Sequence, residues 1–253
     1  MTDTLYQALL YIMPPLAVIV FLALFFVKAG YGMFRTKDWG ISLPNKLGWV
    51  IMECPAFLMM LYLWNGSSYK LEPALFTFFI LFELHYFQRS FVFPLLMKGK
   101  SRMPIAITAM GVLFNVINAF LIGYNLFYLE GNFYTAAWLS TPAFYSGCII
   151  FFAGMGINLH ADQVIRNLRP AGDTRHYLPQ KGIYRYVTSG NYFGELVEWV
   201  GFAILTQSAA AWIFVLWTFA NLAPRAYAIR QRYREEFGKE AVGKRKCLIP
   251  YIY

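Results

Sequence analysis

Long apolar stretches dominate the hydrophobic pattern of the chain. Seven of them, separated by polar or basic segments, cover residues 8–28, 48–65, 73–97, 104–128, 137–159, 191–206 and 209–225. Most reach the roughly 20 residues that an α-helix needs to cross the hydrocarbon core of a bilayer. The last two are shorter and are separated only by Thr206-Gln207-Ser208, so a single kinked or re-entrant element is the alternative there. The pattern predicts an all-α integral membrane protein, a bundle of seven transmembrane helices.

Composition supports the membrane assignment. Hydrophobic residues make up 58% of the 253 positions and charged residues 14%, whereas soluble domains are about half apolar and about a quarter charged. The many Phe, Tyr and Trp side chains fit a lipid-facing surface with aromatic belts. The first residues, Met1-Thr2-Asp3-Thr4, lack the basic region of a secretory signal. We expect residues 1–253 to form a single membrane-embedded domain.

Basic residues are distributed unevenly between the loops. With seven spans, nearly all of the 22 Lys and Arg residues fall in the first, third and fifth loops and in the C-terminal tail, all on one side. Lys70 lies in a loop on the opposite side and Arg89 lies within a helix. The positive-inside rule therefore predicts an outside N-terminus and a cytoplasmic C-terminus. The net charge of +9 can be explained by this orientation together with attraction to anionic lipid headgroups. Binding of a phosphorylated cofactor by the fifth loop is a further hypothesis.

Ionisable residues within apolar helices cost several kcal/mol, which makes them functional candidates. Glu53 lies in the second stretch, two residues before Pro55. A protonated carboxyl group there could donate a hydrogen bond to a carbonyl, and a structural carboxylate paired with Arg89 or with another helix is the alternative. Glu83, Tyr86 and Arg89 in the third stretch are three residues apart and share one helical face. Tyr86 is a candidate general acid or, alternatively, a packing residue.

Two polar stripes follow in the C-terminal half. Asn158, Asp162, Arg166 and Arg169 lie on one helical stripe. Carboxylate and amide groups suit ribose hydroxyls and guanidinium groups suit phosphate, although a solvated helix end would give the same pattern.

The second stripe lies in the sixth apolar stretch. Asn191, Glu195 and Glu198 share one face of the predicted helix. Two carboxylates within the first turns of a membrane helix are expected to face a wet cavity or a bound ligand. Both stripes therefore favour a polar site at the end of the C-terminal helices.

Several motifs together resemble the steroid 5α-reductase family. They are the segments 154–162, 178–184, 191–203 and 244–251, with Tyr31-Gly32, Glu53 and Pro55, and His85-Tyr86-Phe87 with Arg89 in the N-terminal half. The likeness covers nearly the whole chain. One departure is Met52, because the family often has Gln before the catalytic Glu.

The resemblance implies seven membrane helices and an NADPH-dependent reduction. In that family hydride passes from the nicotinamide to C5 of a 3-oxo-Δ4 steroid, and Glu53 and Tyr86 match the residues expected to hydrogen-bond the C3 carbonyl. The positions that match NADPH-binding residues are Asn158, Asp162, Arg169, Asn191, Glu195, Tyr233 and Arg245, with Tyr31, Arg89 and Lys100 as further candidates. The substrate pocket is expected mainly from helices 1–4 and the NADPH site mainly from residues 150–253.

The expected partners are a lipophilic, steroid-like substrate from the bilayer and membrane lipid, with no nucleic acid, no obligate protein partner and no metal. The expected location is multi-pass in the bacterial inner membrane or the endoplasmic reticulum. Three alternatives stay open. They are a related reductase of polyprenol, enoyl-thioester or sterol double bonds, an isoprenylcysteine-type membrane methyltransferase, and a non-catalytic transporter or receptor.

Overall fold

The computed structural model describes residues 2–28, 30–34, 36, 39–99, 101–168 and 175–253. Within them the protein is mostly helical. The helices are α1 (Thr2–Phe26), α2 (Asn45–Gly66), α3 (Pro73–Phe87), α4 (Phe93–Leu96), α5 (Ile105–Tyr124), α6 (Pro142–Asn167), α7 (Gly190–Thr206), α8 (Ala209–Phe237) and α9 (Lys239–Val242). Two short strands, β1 (Ser42–Pro44) and β2 (Arg102–Pro104), pair antiparallel. Short 3₁₀ turns cover Gly32–Phe34, Ala136–Ser140 and Gly182–Arg185.

Every apolar stretch of the sequence lies mostly in helix. The third continues from α3 through a π-helical turn, Gln88–Val92, into α4, and the fourth ends in a second π-helical turn, Asn125–Leu129. Four helices, Thr2–Phe26, Asn45–Gly66, Ile105–Leu129 and Pro142–Asn167, are long and apolar enough to cross a membrane. The chain is an all-α integral membrane protein.

Three further helices of the bundle fall outside that set of four. Helices α3 and α7 are short, with 15 and 17 residues. Helix α8 has 29 residues, but it contains Arg225 and ends in a strongly charged segment, which lowers its mean hydropathy.

The boundary between the last two stretches is sharper than the sequence indicates. Helix α7 ends at Thr206 and α8 begins at Ala209. Gln207 between them has φ of +52°, a left-handed conformation that ends a helix. Residues 190–237 therefore form two separate helices, as the seven-stretch interpretation expects.

The described residues divide into two compact units. The first comprises those in Met1–Tyr11, Ala29–Tyr145 and Thr206–Ala211, and the second those in Ile12–Lys28, Ser146–Leu205 and Trp212–Tyr253. The first unit contains α2–α5, and the second contains most of α6, α7 and α8.

In the first unit, α2 packs against both α3 and α5. The β1–β2 pair places the starts of α2 and α5 at the same end. At the other end the Ser67 hydroxyl donates to the Phe127 carbonyl at 2.8 Å, so the two helices run parallel. Helix α3 returns in the opposite direction, and Trp64 near the end of α2 stacks on Phe79 in the first half of α3, with ring centroids 4.3 Å apart.

In the second unit, glycines bring α6 and α7 into backbone contact. Gly147 and Gly154 on α6 face Gly194 and Gly201 on α7, seven residues apart on each helix. A Cβ atom at Gly154 would lie 2.2 Å from the Glu198 amide nitrogen. Small residues permit such close approach of membrane helices. This contact fixes the position of α6 along the axis of α7, and thereby which polar residues of the two helices meet.

Candidate active site

Three polar side chains from three helices meet inside the first unit. The Asn115 amide nitrogen on α5 donates to Glu53 Oε2 on α2 at 3.1 Å, and the Tyr86 hydroxyl on α3 donates to Asn115 Oδ1 at 3.4 Å. Tyr86 is 2% exposed and Asn115 5%, whereas Glu53 is half-buried. The structure therefore brings the two predicted catalytic residues to one amide group.

The Met52 carbonyl fixes the orientation of that amide group. Asn115 Nδ2 also donates to the Met52 backbone oxygen at 2.8 Å, which requires the nitrogen to face α2. The amide oxygen consequently faces Tyr86. A helical carbonyl can accept this second bond because its oxygen has two lone pairs.

The side chain of Met52 packs between helices. A Cβ atom at Gly111 on α5 would lie 2.3 Å from Met52 Cγ. Met52 therefore fills the contact between α2 and α5, so the methionine that departs from the family pattern has a packing role in this chain.

Arg89 packs its guanidinium group against aromatic rings from α2 and α4. Its guanidinium carbon lies 4.7 Å from the ring centroids of both Trp49 and Phe93. Tyr31 contacts the same Trp49, with ring centroids 6.5 Å apart. Guanidinium groups bind aromatic faces through cation–π attraction. Arg89 and Tyr31, two of the further cofactor candidates, thus share one aromatic partner.

A second polar network joins α6 and α7 in the second unit. Asn158 Nδ2 donates to the Asn191 carbonyl at 2.8 Å, and Asn191 Nδ2 donates to Asp162 Oδ1 at 3.2 Å. The Tyr184 hydroxyl donates to Asn191 Oδ1 at 3.4 Å. Asn158 and Asp162 are both 4% exposed. Burial raises the pKa of the Tyr184 hydroxyl well above its usual value, and the nearby Asp162 carboxylate adds to the shift.

The C-terminal tail lies beside this network. Thr188 N donates to the Lys246 carbonyl at 2.9 Å, and Ser189 N donates to the Cys247 carbonyl at 3.1 Å. These bonds place residues 246–247 alongside residues 187–189, just before α7 begins. The tail is therefore part of the same polar region as Asn191.

Arg245 ties that tail to the preceding loop. Its Nη1 donates to the Pro179 carbonyl at 2.9 Å and its Nε to the Val242 carbonyl at 2.8 Å, and Nη2 bonds the Ala241 carbonyl. Burial lowers the pKa of the Arg245 guanidinium, and nearby Tyr233 opposes that shift. Much of its donor capacity is thus directed at backbone carbonyls.

Relatives with known names match almost the whole chain. A family model described as 3-oxo-5-alpha-steroid 4-dehydrogenase matches residues 101–253. The chain is 33% identical over 253 residues to 3-oxo-5-alpha-steroid 4-dehydrogenase 1 of Bos taurus, covering 98% of this chain and 97% of the relative. The chain belongs to the steroid 5-alpha-reductase family. The resemblance drawn from the motifs is confirmed.

The likeness extends to plant and further mammalian members of the family. Steroid 5-alpha-reductase DET2 of Gossypium hirsutum is 32% identical over 255 residues, covering 99% of this chain and 98% of the relative. The 3-oxo-5-alpha-steroid 4-dehydrogenase 2 of Sus scrofa is 34% identical over 242 residues, covering 94% of each chain. This steroid 5-alpha-reductase family member is an oxidoreductase that acts on a CH–CH group.

Five of the twelve predicted site residues of this family member fall into the two networks. Glu53 and Tyr86 are joined in the first unit, and Asn158, Asp162 and Asn191 are joined in the second. On α7, Glu195 is half-buried, whereas Glu198 is 1% exposed. Tyr233 on α8 is 8% exposed. The cofactor role of these residues stays a prediction, and Arg169 and Lys100 lie outside the described residues.

Sequence reasoning missed two residues that hold the networks together. Asn115 links Glu53 to Tyr86, and Tyr184 contacts Asn191. The signal for Asn115 was present, because an amide side chain in an otherwise apolar helix needs a hydrogen-bond partner. Ionisable residues are more conspicuous in an apolar helix than an amide, so Asn115 was not among the predicted site residues. Tyr184 has no comparable signal, since a lone tyrosine beside an apolar segment is common.

Proposed function

We propose that the protein reduces the Δ4 C=C bond of a 3-oxo-Δ4 steroid, such as testosterone or progesterone, to the 5α-dihydro product with NADPH. The observation that carries the proposal is the hydrogen-bonded set Glu53–Asn115–Tyr86 within apolar helices of a chain of this family. Such a set offers polar groups to a single oxygen atom in surroundings that exclude water.

The reaction explains why a carboxyl and a phenol are needed together. An isolated C=C bond resists hydride, but a C=C bond conjugated to a carbonyl accepts it at the β carbon. Negative charge then develops on the carbonyl oxygen as an enolate. A proton that comes ultimately from water adds at the α carbon, so the enone gains one hydride and one proton and becomes the saturated ketone. Glu53 in its protonated form and Tyr86 each have one O–H that can donate to that oxygen and stabilise the charge.

Asn115 acts as a positioning residue in this proposal. Its nitrogen donates to Glu53 Oε2, so in the protonated form the proposal assigns the carboxyl proton to the other oxygen. Its bond from Tyr86 is long, at 3.4 Å, so the hydroxyl can turn to a stronger acceptor. Asn115 thus orients both donors while touching neither the carbon that gains hydride nor the one that gains the proton.

The second unit contains residues of the types that suit NADPH. The Asp162 carboxylate and the Asn158 and Asn191 amides suit ribose and carboxamide groups. Arg234 Nε is buried and has no hydrogen-bond partner within the described part of the chain. Arg230, Arg234 and Lys246 lie near the Cys247 thiol, where they oppose the rise in its pKa that burial causes. Guanidinium groups there suit phosphate. When bound, NADPH would supply the hydride.

We also propose that the chain crosses the membrane seven times, with the N-terminus outside and the C-terminus in the cytoplasm. Seven spans with an outside N-terminus place the basic tail and the residues around Asn191 at the cytoplasmic side, from which a water-soluble cofactor enters. A lipophilic steroid-like substrate enters from the bilayer. The favoured locations are the bacterial inner membrane and the endoplasmic reticulum, as a single membrane-embedded domain without an obligate protein partner.

The experiment is NADPH consumption by purified protein against 3-oxo-Δ4 steroids, polyprenals and enoyl thioesters, with product identification. We expect NADPH-dependent formation of 5α-dihydro steroids. Consumption only with polyprenals or enoyl thioesters would favour the related reductase. Binding of S-adenosylmethionine and no binding of NADPH would favour the methyltransferase.

Replacing Asn115 with Leu tests its positioning role. We expect kcat to fall about 100-fold, because the two donors lose their common anchor, while the KM for steroid changes much less. Thr108→Val is the matched control on the same helix, since the buried Thr108 hydroxyl bonds the Pro104 carbonyl one turn away. Equal kcat values in Asn115→Leu and Thr108→Val would contradict the role.

A further inference from the structure

Two more buried polar residues lie one helical turn from the Glu53–Asn115–Tyr86 set. Glu83 precedes Tyr86 by three residues on α3, and Asn118 follows Asn115 by three residues on α5. Glu83 is 7% exposed and Asn118 is 3% exposed. Neither carboxyl oxygen of Glu83 nor the Asn118 amide nitrogen has a hydrogen-bond partner in the described part of the chain.

The helix directions place both residues on the same side of that set. Helices α2 and α5 run parallel, and α3 runs opposite to them. Going backward along α3 from Tyr86 to Glu83 therefore leads the same way as going forward along α5 from Asn115 to Asn118. Three residues of α-helix rise about 4.5 Å. Glu83 and Asn118 thus form a second polar layer of the first unit.

At the same level, the described residues of α2 offer apolar side chains and no hydrogen-bond partners for Glu83 and Asn118. Ala56 and Met60, which follow Glu53 on α2, are both fully buried and apolar. A buried donor or acceptor without a partner is costly, and a ligand that supplies the missing bonds recovers that cost on binding. The layer therefore has both the chemistry and the energetic reason to bind a polar ligand group.

A hydroxyl group complements the unpartnered atoms. It accepts one hydrogen bond from the Asn118 amide nitrogen and donates another to a carboxyl oxygen of Glu83. A methyl or methylene group at the same place would leave all of these atoms unpaired. The layer thus discriminates between lipophilic ligands by one oxygen atom.

We propose that Glu83 and Asn118 bind a hydroxyl group of the substrate that lies about one helical turn from the carbonyl oxygen held by Glu53 and Tyr86. On a 3-oxo-Δ4 steroid, a hydroxyl on ring A, ring B or the adjoining angular methyl group meets this requirement, whereas one on ring D lies too far away. This inference rests on the proposed function. It narrows the substrate class to 3-oxo-Δ4 steroids that have a hydroxyl group close to the C3 carbonyl oxygen.

The test compares matched pairs of 3-oxo-Δ4 steroids, with and without a hydroxyl at those positions. In the wild type we expect kcat/KM to be about tenfold higher for the hydroxylated member, the size of one or two well-made buried hydrogen bonds. We expect Glu83→Leu and Asn118→Leu each to remove most of that ratio. Glu72→Gln is the control, because Glu72 caps α3 without a side-chain hydrogen bond, and it should retain the ratio.

Equilibrium binding of the saturated 3-oxo steroids, followed by tryptophan fluorescence, separates this inference from the proposed function. The same tenfold preference in affinity is expected even if no steroid is turned over, and thermal melting checks that each variant is folded. Equal affinity of the wild type for both members of every pair would overturn the inference. So would a preference that Glu83→Leu and Asn118→Leu leave intact.

Discussion

Tyr86→Phe and Glu53→Gln are expected to reduce steroid turnover about 100- to 1,000-fold while NADPH still binds. Tyr86→Phe keeps the ring that packs on Phe82, with centroids 4.6 Å apart, and removes only the hydroxyl. Glu53→Gln keeps the shape of the side chain and replaces a carboxyl donor with a weaker amide donor. Both changes remove stabilisation of the enolate oxygen, which matters most in the transition state.

The measurement is the rate of testosterone or progesterone reduction, with NADPH binding followed separately by fluorescence. Tyr124→Phe is the matched tyrosine control, because the Tyr124 hydroxyl bonds Asp3 near the far end of α5. Glu72→Gln is the matched carboxyl control. Wild-type rates in both Tyr86→Phe and Glu53→Gln would remove the mechanism, and loss of NADPH binding in both would assign these residues to the cofactor instead.

Gly154→Ala is expected to separate α6 from α7 and to weaken both the fold and the cofactor site. The added methyl group would lie 2.2 Å from the Glu198 amide nitrogen and 2.6 Å from its Cα atom, and backbone cannot turn aside as a flexible side chain can. Overpacking of this kind costs roughly 1–3 kcal/mol, and each kcal/mol lowers the melting temperature by roughly 2–4 °C in a chain of this size. Asn158 and Asp162 would move away from Asn191, so we expect the KM for NADPH to rise about tenfold or more.

Gly156→Ala provides a matched control two residues away on the same helix. A Cβ atom at Gly156 meets no other atom within 4 Å, so the change should leave the melting temperature and the KM for NADPH near wild type or slightly improved. Melting curves with and without NADPH compare the two variants. If Gly154→Ala and Gly156→Ala gave the same curves, the close contact of α6 and α7 would not determine the site.

Much of the fold could be predicted from the apolar pattern, and the differences have local causes. Helix α6 continues to Asn167 although the apolar stretch was placed at 137–159, because Asn158 and Asp162 are buried against another helix and do not end it. The π-helical turns at Gln88–Val92 and Asn125–Leu129 were not predicted. Hydrophobic periodicity does not register a single extra residue in a helical turn. The β1–β2 pair is a small exception to the all-α prediction, since three-residue strands give no detectable alternation.

The candidate site was predictable in its residue types and less so in its connections. Glu53 and Tyr86 stand out in the sequence because ionisable and phenolic groups are conspicuous in apolar helices. Their link through Asn115 depends on α5, and Asn115 lies 62 residues from Glu53 along the chain. The alternative pairing of Glu53 with Arg89 was equally open from sequence. That pairing stays a prediction, and the contacts of the Arg89 guanidinium with the rings of Trp49 and Phe93 are a further link that the sequence does not indicate.

The sequence by itself determined that this chain is a helical membrane protein of one recognisable reductase family, because hydrophobicity and motif identity belong to each segment alone. Only the tertiary structure decided that Asn115 joins Glu53 to Tyr86, that Gly154 sets the level of Asn158 against Asn191, and that Glu83 and Asn118 share a layer. The physical reason is that the register between two helices is set by contacts among residues far apart in sequence. A shift of one turn would pair different side chains while leaving each helix equally apolar.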